Sequence, residues 1–164
     1  MPNLESTDQR IVRLRNSLVE SPVIWKGGYA YFIHPLSDGV PRQSSQMLEE
    51  ARNIVVEMVD WDDIDLILGI EAMGIPLAAC LSVATGIPLV IGRKRPYELP
   101  GEVTVDQSTG YSKGNIFIND IKPNERVFVV DDVVSTGGTL RAVLTAVEKA
   151  GAIVQDVVTV FEKG

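Results

Sequence analysis

Asp131 and Asp132 stand side by side after the apolar run Val127, Phe128, Val129 and Val130, and shortly before Ser135, Thr136, Gly137, Gly138 and Thr139. Four apolar residues read as a buried parallel strand, and the helical pattern that resumes at Thr139 makes the glycines a strand-to-helix turn. Residues 135–139 offer consecutive backbone N–H groups, hydroxyl side chains and a helix start, with no carboxylate to repel an anion. Such a turn suits a phosphate. Two acids at the C-terminal end of a parallel strand are suited instead to accepting hydrogen bonds from sugar hydroxyls or holding a cation's water shell. A diol beside a phosphate is a phosphorylated ribose. A plain strand, turn and helix needs neither adjacent acids nor five phosphate-compatible positions, so the motif reads as functional.

The same pattern stands one crossover earlier. Leu66, Ile67, Leu68, Gly69 and Ile70 read as a buried strand that runs into Glu71, Ala72, Met73 and Gly74 before an apolar helix over residues 75–84. Small residues there let backbone N–H groups approach a ligand, and the helix start again favours negative charge. A third short strand over residues 88–92 delivers Arg93, Lys94 and Arg95 at its end, three adjacent cations suited to an anion. Residues 96–115 have little apolar periodicity and read as a long lid-like loop, whose closure would keep water from the reaction.

The run VVDDVVSTGGT resembles the phosphoribosyl-diphosphate (PRPP) signature of the type I phosphoribosyltransferases. The stretches HPLSDGVP, GIEAMGIPLA, GIPLVIGRKR, LPGEV and TGYSKG extend the resemblance over nearly the whole chain, towards the archaeal hypoxanthine/guanine phosphoribosyltransferases. Adenine phosphoribosyltransferase is a more distant relative. The resemblance implies an α/β type I phosphoribosyltransferase fold: a mostly parallel central sheet flanked by helices, with a small N-terminal hood and a flexible loop. It implies transfer of the 5-phosphoribosyl group from PRPP to N9 of hypoxanthine or guanine, giving IMP or GMP and pyrophosphate, and it implies a homodimer. An adenine transferase and a non-catalytic PRPP-binding regulator are the competing readings.

Carried over residue by residue, the resemblance assigns catalytic roles to Asp131, Asp132, Lys94 and Tyr111, and the 5′-phosphate to Ser135, Thr136, Gly137, Gly138 and Thr139. Glu71, Ala72, Met73, Gly74, Arg93 and Lys94 are assigned to pyrophosphate, and Phe32 and Val133 to the base. The cofactor is Mg²⁺ carried by PRPP, water-bridged to Asp131 or Asp132, with no direct protein ligand expected. The chain departs from its adenine-specific relatives at Met73, where they often have Arg, and at Gly110, where they carry an acid. It departs from many hydroxypurine enzymes at Ser135, where they place an acid.

The 164 residues suit one domain, with an N-terminal helix and hood over 1–42 and a core over 43–164. A net charge of −7 and the lack of any basic block beyond residues 93–95 argue against a nucleic-acid surface. The single cysteine, Cys80, sits in an apolar run and reads as a small core residue, so no disulfide framework exists within the chain. With no apolar leader and no run of the ~18 apolar residues needed for a span, the expected location is cytoplasmic, away from membranes.

The remaining elements follow from spacing. Ser6 and Gln9 have capping-box spacing ahead of a helix whose inner face is Ile11, Leu14 and Leu18, with Arg10, Arg13 and Arg15 on a solvated face. Residues 23–33 read as short strands carrying Trp25, Tyr29, Tyr31 and Phe32, either a lid over a planar ligand or a cover for a sheet edge. His34 reads as a turn residue satisfied by hydrogen bonds rather than a catalyst. Met47, Leu48, Ala51, Val55 and Met58 mark a helix over residues 43–59. Asp62, Asp63 and Asp65 read as a solvated acidic connection and not as a metal site. Residues 116–118 and 126–130 read as a hairpin-like entry to the central motif, and residues 140–150 and 153–161 as a last helix and strand.

Overall fold

In the computed structural model, which describes residues 8–26, 28–108 and 113–163, the chain divides at Met58/Val59 into two units. The first carries α1 (Gln9–Val19), β1 (Val23–Lys26), β2 (Tyr29–Phe32), α2 (Pro35–Asp38) and α3 (Ser45–Met58). The second begins with a 3-10 turn at Trp61–Asp63 and continues with β3 (Leu66–Ile70), α4 (Gly74–Thr85), β4 (Leu89–Gly92) and β5 (Val103–Ser108). It ends with β6 (Lys113–Ile118), β7 (Arg126–Val134), α5 (Gly138–Lys149) and β8 (Ile153–Glu162).

In the first unit, Asp8 caps α1 by accepting the Arg10 N–H at 2.8 Å. The capping-box spacing puts this start at Ser6, which lies outside the described residues. Asp8 takes the role because its carboxylate satisfies an orphan helix donor and is held in place by the Arg10 guanidinium, which keeps its pKa at about 2. Arg10 also bonds Glu57 at 2.6 Å and Arg13 bonds Glu50 at 2.8 Å. The arginine face is solvated as expected, with Arg13 and Arg15 exposed, and it also carries surface ion pairs, since Arg10 and Arg13 join α1 to Glu57 and Glu50 of α3. The short β1 and β2 pair antiparallel, Val23 opposite Phe32. His34 is fully buried; its Nδ1 accepts the Leu36 N–H at 3.1 Å as the cap of α2, and its Nε2 lies 3.0 Å from Ser17 Oγ. A nitrogen that accepts must be unprotonated, and burial lowers the ring's pKa in the same direction. The histidine is a structural cap, as its turn position implied.

In the second unit, β4, β3, β7 and β8 lie side by side in that order, all parallel. Every residue of β3 is buried, because helices and a hairpin cover both faces of the sheet. Leu66, Leu68, Ile70, Val127 and Val129 face one way, into a core shared with Val105, Ile116 and Ile118 of β5 and β6 and with Val143 and Val147 of α5. The alternate residues face α4. Gly69 is one of them: a Cβ there would stand 2.6 Å from the Ala78 Cβ, so glycine lets α4 lie directly on β3.

Four expectations need correction. Residues 96–115 are not one loop: 103–108 form β5, paired antiparallel with β6 from Val103–Ile118 to Ser108–Lys113. The alternation of Val103, Val105 and Gln107 against Thr104 and Asp106 carries that strand, with Val105 and Gln107 buried and Val103 half-buried. Residues 116–118 accordingly pair with β5 and do not form a hairpin with β7, both of whose edges are taken by β3 and β8. Asp63 and Asp65 are not merely solvated, since both bind Arg126 at the start of β7; Asp65 Oδ1 lies 2.8 Å from its Nη2. Cys80 is half-buried on α4 and not a core residue. Among the described residues no helix is long and apolar enough to cross a membrane.

Candidate active site

The strand order sets the place of the site. From the neighbours β3 and β7, one crossover runs through α4 to β4 and the other through α5 to β8, in opposite directions across the sheet. Loops leaving adjacent strands towards opposite sides open a crevice at their C-terminal ends, the switch point where open α/β sheets bind ligands. Residues 71–74 follow β3 and residues 135–137 follow β7, so both anion-suited turns border this crevice.

β7 continues past the expected strand end at Val130 to Val134, pairing Asp131 with Thr159 and Val133 with Phe161 of β8. The acids therefore sit on the ladder itself, fixed by main-chain hydrogen bonds on the β8 side. Gly137 then takes φ 73°, a left-handed conformation that glycine adopts without strain, and caps α5. Asp131, Val133, residues 134–140 and Thr159 line a partly open hollow. The sequence-derived phosphate residues Ser135, Thr136, Gly137, Gly138 and Thr139 are thus brought together with Asp131 and with Val133. Asp132 is half-buried beside them and is not part of the hollow's wall.

Asp131 is only 8 % exposed, and its Oδ1 accepts the Asp132 N–H at 3.0 Å. Burial, then the hydrogen bond and charge of the Asp132 carboxyl, push its pKa well above the ordinary aspartate range, while the Lys94 ammonium pulls the other way. Removing water disfavours the charged form, and two carboxyls in contact cannot both ionise cheaply. Both effects favour the neutral form of the Asp131 carboxyl. Among the described residues no group of three or more His, Cys, Asp or Glu gathers as a metal site.

The turn after β3 presses against the acids. A Cβ on Gly74 would stand 2.9 Å from the Val130 carbonyl and 3.1 Å from Asp131 Oδ1, so glycine allows the start of α4 to close on β7. Ala72 is exposed, and Met73 caps α4 with no side-chain hydrogen bond. Glu71 turns its carboxylate the other way: Oε2 accepts the Lys94 N–H at 2.8 Å and lies 3.4 Å from Arg93 Nε. Its geometry is that of a brace under the basic turn. Lys94 itself is exposed. Arg93 exchanges main-chain hydrogen bonds with Phe117 of β6, both at 2.8 Å, which ties the β5–β6 hairpin to the sheet one residue before Lys94. Arg95, expected to project with its neighbours, bonds the Tyr97 hydroxyl at 3.1 Å and lies 5.2 Å from that ring's centroid. That hydrogen bond, with the charges of Arg93 and Arg95, lowers the Tyr97 pKa.

Phe32 belongs to the first unit, on β2, and Tyr111 lies outside the described residues. Two residues escaped the sequence reading. Thr159 borders the hollow because β8 pairs with β7; its one visible signal is a hydroxyl in an otherwise apolar run. Gln107, a buried amide on β5, donates from Nε2 to the Thr139 hydroxyl. Nothing in the spacing of residues 107 and 139 pairs them.

The model of the phosphoribosyl transferase domain matches residues 43–164. A hypoxanthine/guanine phosphoribosyltransferase of Methanosarcina acetivorans is 55% identical over 152 residues, 93% of this chain and 80% of that protein. One of Ferroglobus placidus, with the same name, is likewise 55% identical, over 93% of this chain and 81% of that protein. Among solved structures, adenine phosphoribosyltransferase of Saccharomyces cerevisiae in complex with an imino-altritol bisphosphate and adenine superposes with a TM-score of 0.79. That likeness has 23% sequence identity and covers 94% of this chain and 89% of that one, a likeness of fold. The family match over residues 43–164, the archaeal relatives and the four-stranded parallel sheet agree, and the chain belongs to the phosphoribosyltransferase family.

Proposed function

We propose that the protein is a purine-salvage hypoxanthine/guanine phosphoribosyltransferase, forming IMP or GMP and pyrophosphate from the base and PRPP. The observation that carries this reading is one hollow at the C-terminal end of β7 whose wall holds both Asp131 and residues 135–139. The choice of 6-oxopurine follows the relatives at 55% identity that bear that name.

In this reading the loop N–H groups and hydroxyls of residues 135–139 hold the 5′-phosphate, and α5 adds the positive end of its dipole. Asp131 and Asp132 take the ribose diol. As the C1′–O bond to pyrophosphate breaks, positive charge develops on the ribose, and carboxylates held beside it are worth more in the transition state than in the ground state. N9 of the purine then bonds C1′, and the ring N–H proton passes to water. Lys94 and Arg93, set by Glu71, meet the negative charge of the departing pyrophosphate, with N–H groups of residues 72–74 as further donors. Val133 is assigned to the base. Asp131 and Asp132 are an oxygen donor pair that suits Mg²⁺, which keeps most of its water and is carried by the substrate's phosphates. When bound, Mg²⁺ supplies charge neutralisation of the leaving group. A homodimer in the cytoplasm belongs to the same reading.

The test is a panel of hypoxanthine, guanine, xanthine and adenine with Mg·PRPP, following pyrophosphate release. Hypoxanthine and guanine should turn over and adenine should not. Turnover of adenine alone would move the chain to the adenine enzymes; no pyrophosphate with any purine, from folded protein, would end the transferase reading.

A further inference from the structure

Gln107 is 9 % exposed on β5, opposite Gly114 of β6, with its amide turned towards the start of α5. Its Nε2 donates to Thr139 Oγ1, and Thr139 is a wall residue of the hollow in the first turn of α5. A hydroxyl has one proton to give. An NH₂ group only donates, so a hydroxyl that receives from it has to point its own O–H elsewhere. A phosphate in the hollow presents acceptors and no donors.

We propose that Gln107 is a positioning residue for the 5′-phosphate: its buried amide holds the Thr139 hydroxyl as a donor towards the phosphate, from a strand outside the phosphate loop. The inference rests on the reading of this hollow as the 5′-phosphate site. The chain of hydrogen bonds runs one way, from amide to hydroxyl to phosphate oxygen, and each member polarises the next. It also joins two structures that the sequence keeps 32 positions apart. The β5–β6 hairpin is tied at Arg93 beside the basic turn and at Gln107 beside the phosphate turn, so both anion-facing segments are braced by one hairpin. Near-isosteric Gln107→Glu would reverse the chain: a carboxylate accepts, Thr139 would donate to it, and its lone pairs would face the phosphate together with a new negative charge.

The experiment measures ribose 5-phosphate binding by calorimetry, and steady-state constants for PRPP and purine, in the wild type, Q107E, Q107L, T139V, T139S and the double variants Q107L/T139V and Q107L/T139S. Each protein's melting temperature is recorded as a control on folding. Q107L should weaken ribose 5-phosphate binding roughly 5-fold, the size of one lost neutral hydrogen bond, and Q107E roughly 30-fold or more, the size expected when a bond to a charged group is lost. The KM for PRPP should rise with them while the KM for purine stays within about twofold. In the T139V background Q107L should have no further effect, and in the T139S background it should keep its full effect. Independent losses from Q107L and T139V, or equal losses for PRPP and purine, would overturn the proposal, as would unchanged binding in Q107L. Should Q107E not fold, the Q107L cycle decides. Failure of folded wild-type protein to bind ribose 5-phosphate would instead remove the phosphate site itself.

Discussion

Asp131 combines burial, a neighbouring carboxyl and contact with the start of α4, and each bears on both stability and chemistry. Its carboxyl is favoured neutral in the fold, so the stability it contributes is complete below the ordinary aspartate value of 3.8 and is lost as pH rises above it towards the raised folded value. Asp131→Asn keeps an oxygen for the Asp132 N–H and offers the Asp132 carboxylate a donor. It should raise the melting temperature at pH 8 by roughly 2–5 °C, an advantage that fades towards pH 4. Turnover should fall by about 100-fold or more, because a neutral amide does not balance developing positive charge. Scanning calorimetry at several pH values checks the first part and pyrophosphate release the second; a variant less stable at pH 8 than at pH 5, relative to wild type, would contradict the burial argument. Lys94 gives a second test at this scale. Lys94→Ala should raise the KM for PRPP about tenfold and leave purine affinity nearly unchanged, and equal losses would remove it from the pyrophosphate.

The elements that carry these residues meet through two glycines. Gly69 lets α4 lie on β3, and Gly74 lets the start of α4 close on the Val130 carbonyl and Asp131. A methyl group at either point meets atoms that belong to backbone or to a short, rigid side chain, so α4 itself must move. Gly69→Ala should cost about 1–3 kcal/mol of stability in urea denaturation with catalysis near normal in the folded fraction. Gly74→Ala should cost a similar amount and also depress kcat, since the shift falls on the acid pair. A Gly74→Ala enzyme with wild-type kcat would show that this contact does not set the site. The β5–β6 hairpin works at the same scale. Its residues looked like loop because Pro96, Pro100 and Gly101 precede it, yet Val105 and Gln107 are buried and β5 pairs along its length with β6.

At the scale of the whole molecule the chain comprises two units of unequal core. The second buries the faces of a four-stranded sheet, whereas the first buries chiefly Leu36, His34, Ala51 and Val55 and holds α1 to α3 by ion pairs. Trp25, 73 % exposed, lies in the first unit, and Trp61, packed edge-on to Phe128 at 4.9 Å, lies in the second. In Trp25→Phe, fluorescence reports on Trp61 alone, and the circular dichroism of α1 and α3 should be lost at lower urea than the fluorescence transition; coincident transitions would show one cooperative unit. The sequence by itself determined the strand, turn and helix that carry residues 131–139, the apolar strands around them and the family, because the order of acids, hydroxyls and glycines along one such unit is a local code. Local order also located Arg93 and Lys94 at a strand end. The tertiary structure decided which strands are neighbours and therefore which distant side chains meet: Thr159 beside Asp131, Gln107 on Thr139, Glu71 under Lys94, Arg126 between two aspartates. It also decided that burial would raise the pKa of Asp131. Such contacts depend on crossovers and sheet register, which join residues by the packing of whole elements, and no spacing along the chain encodes that.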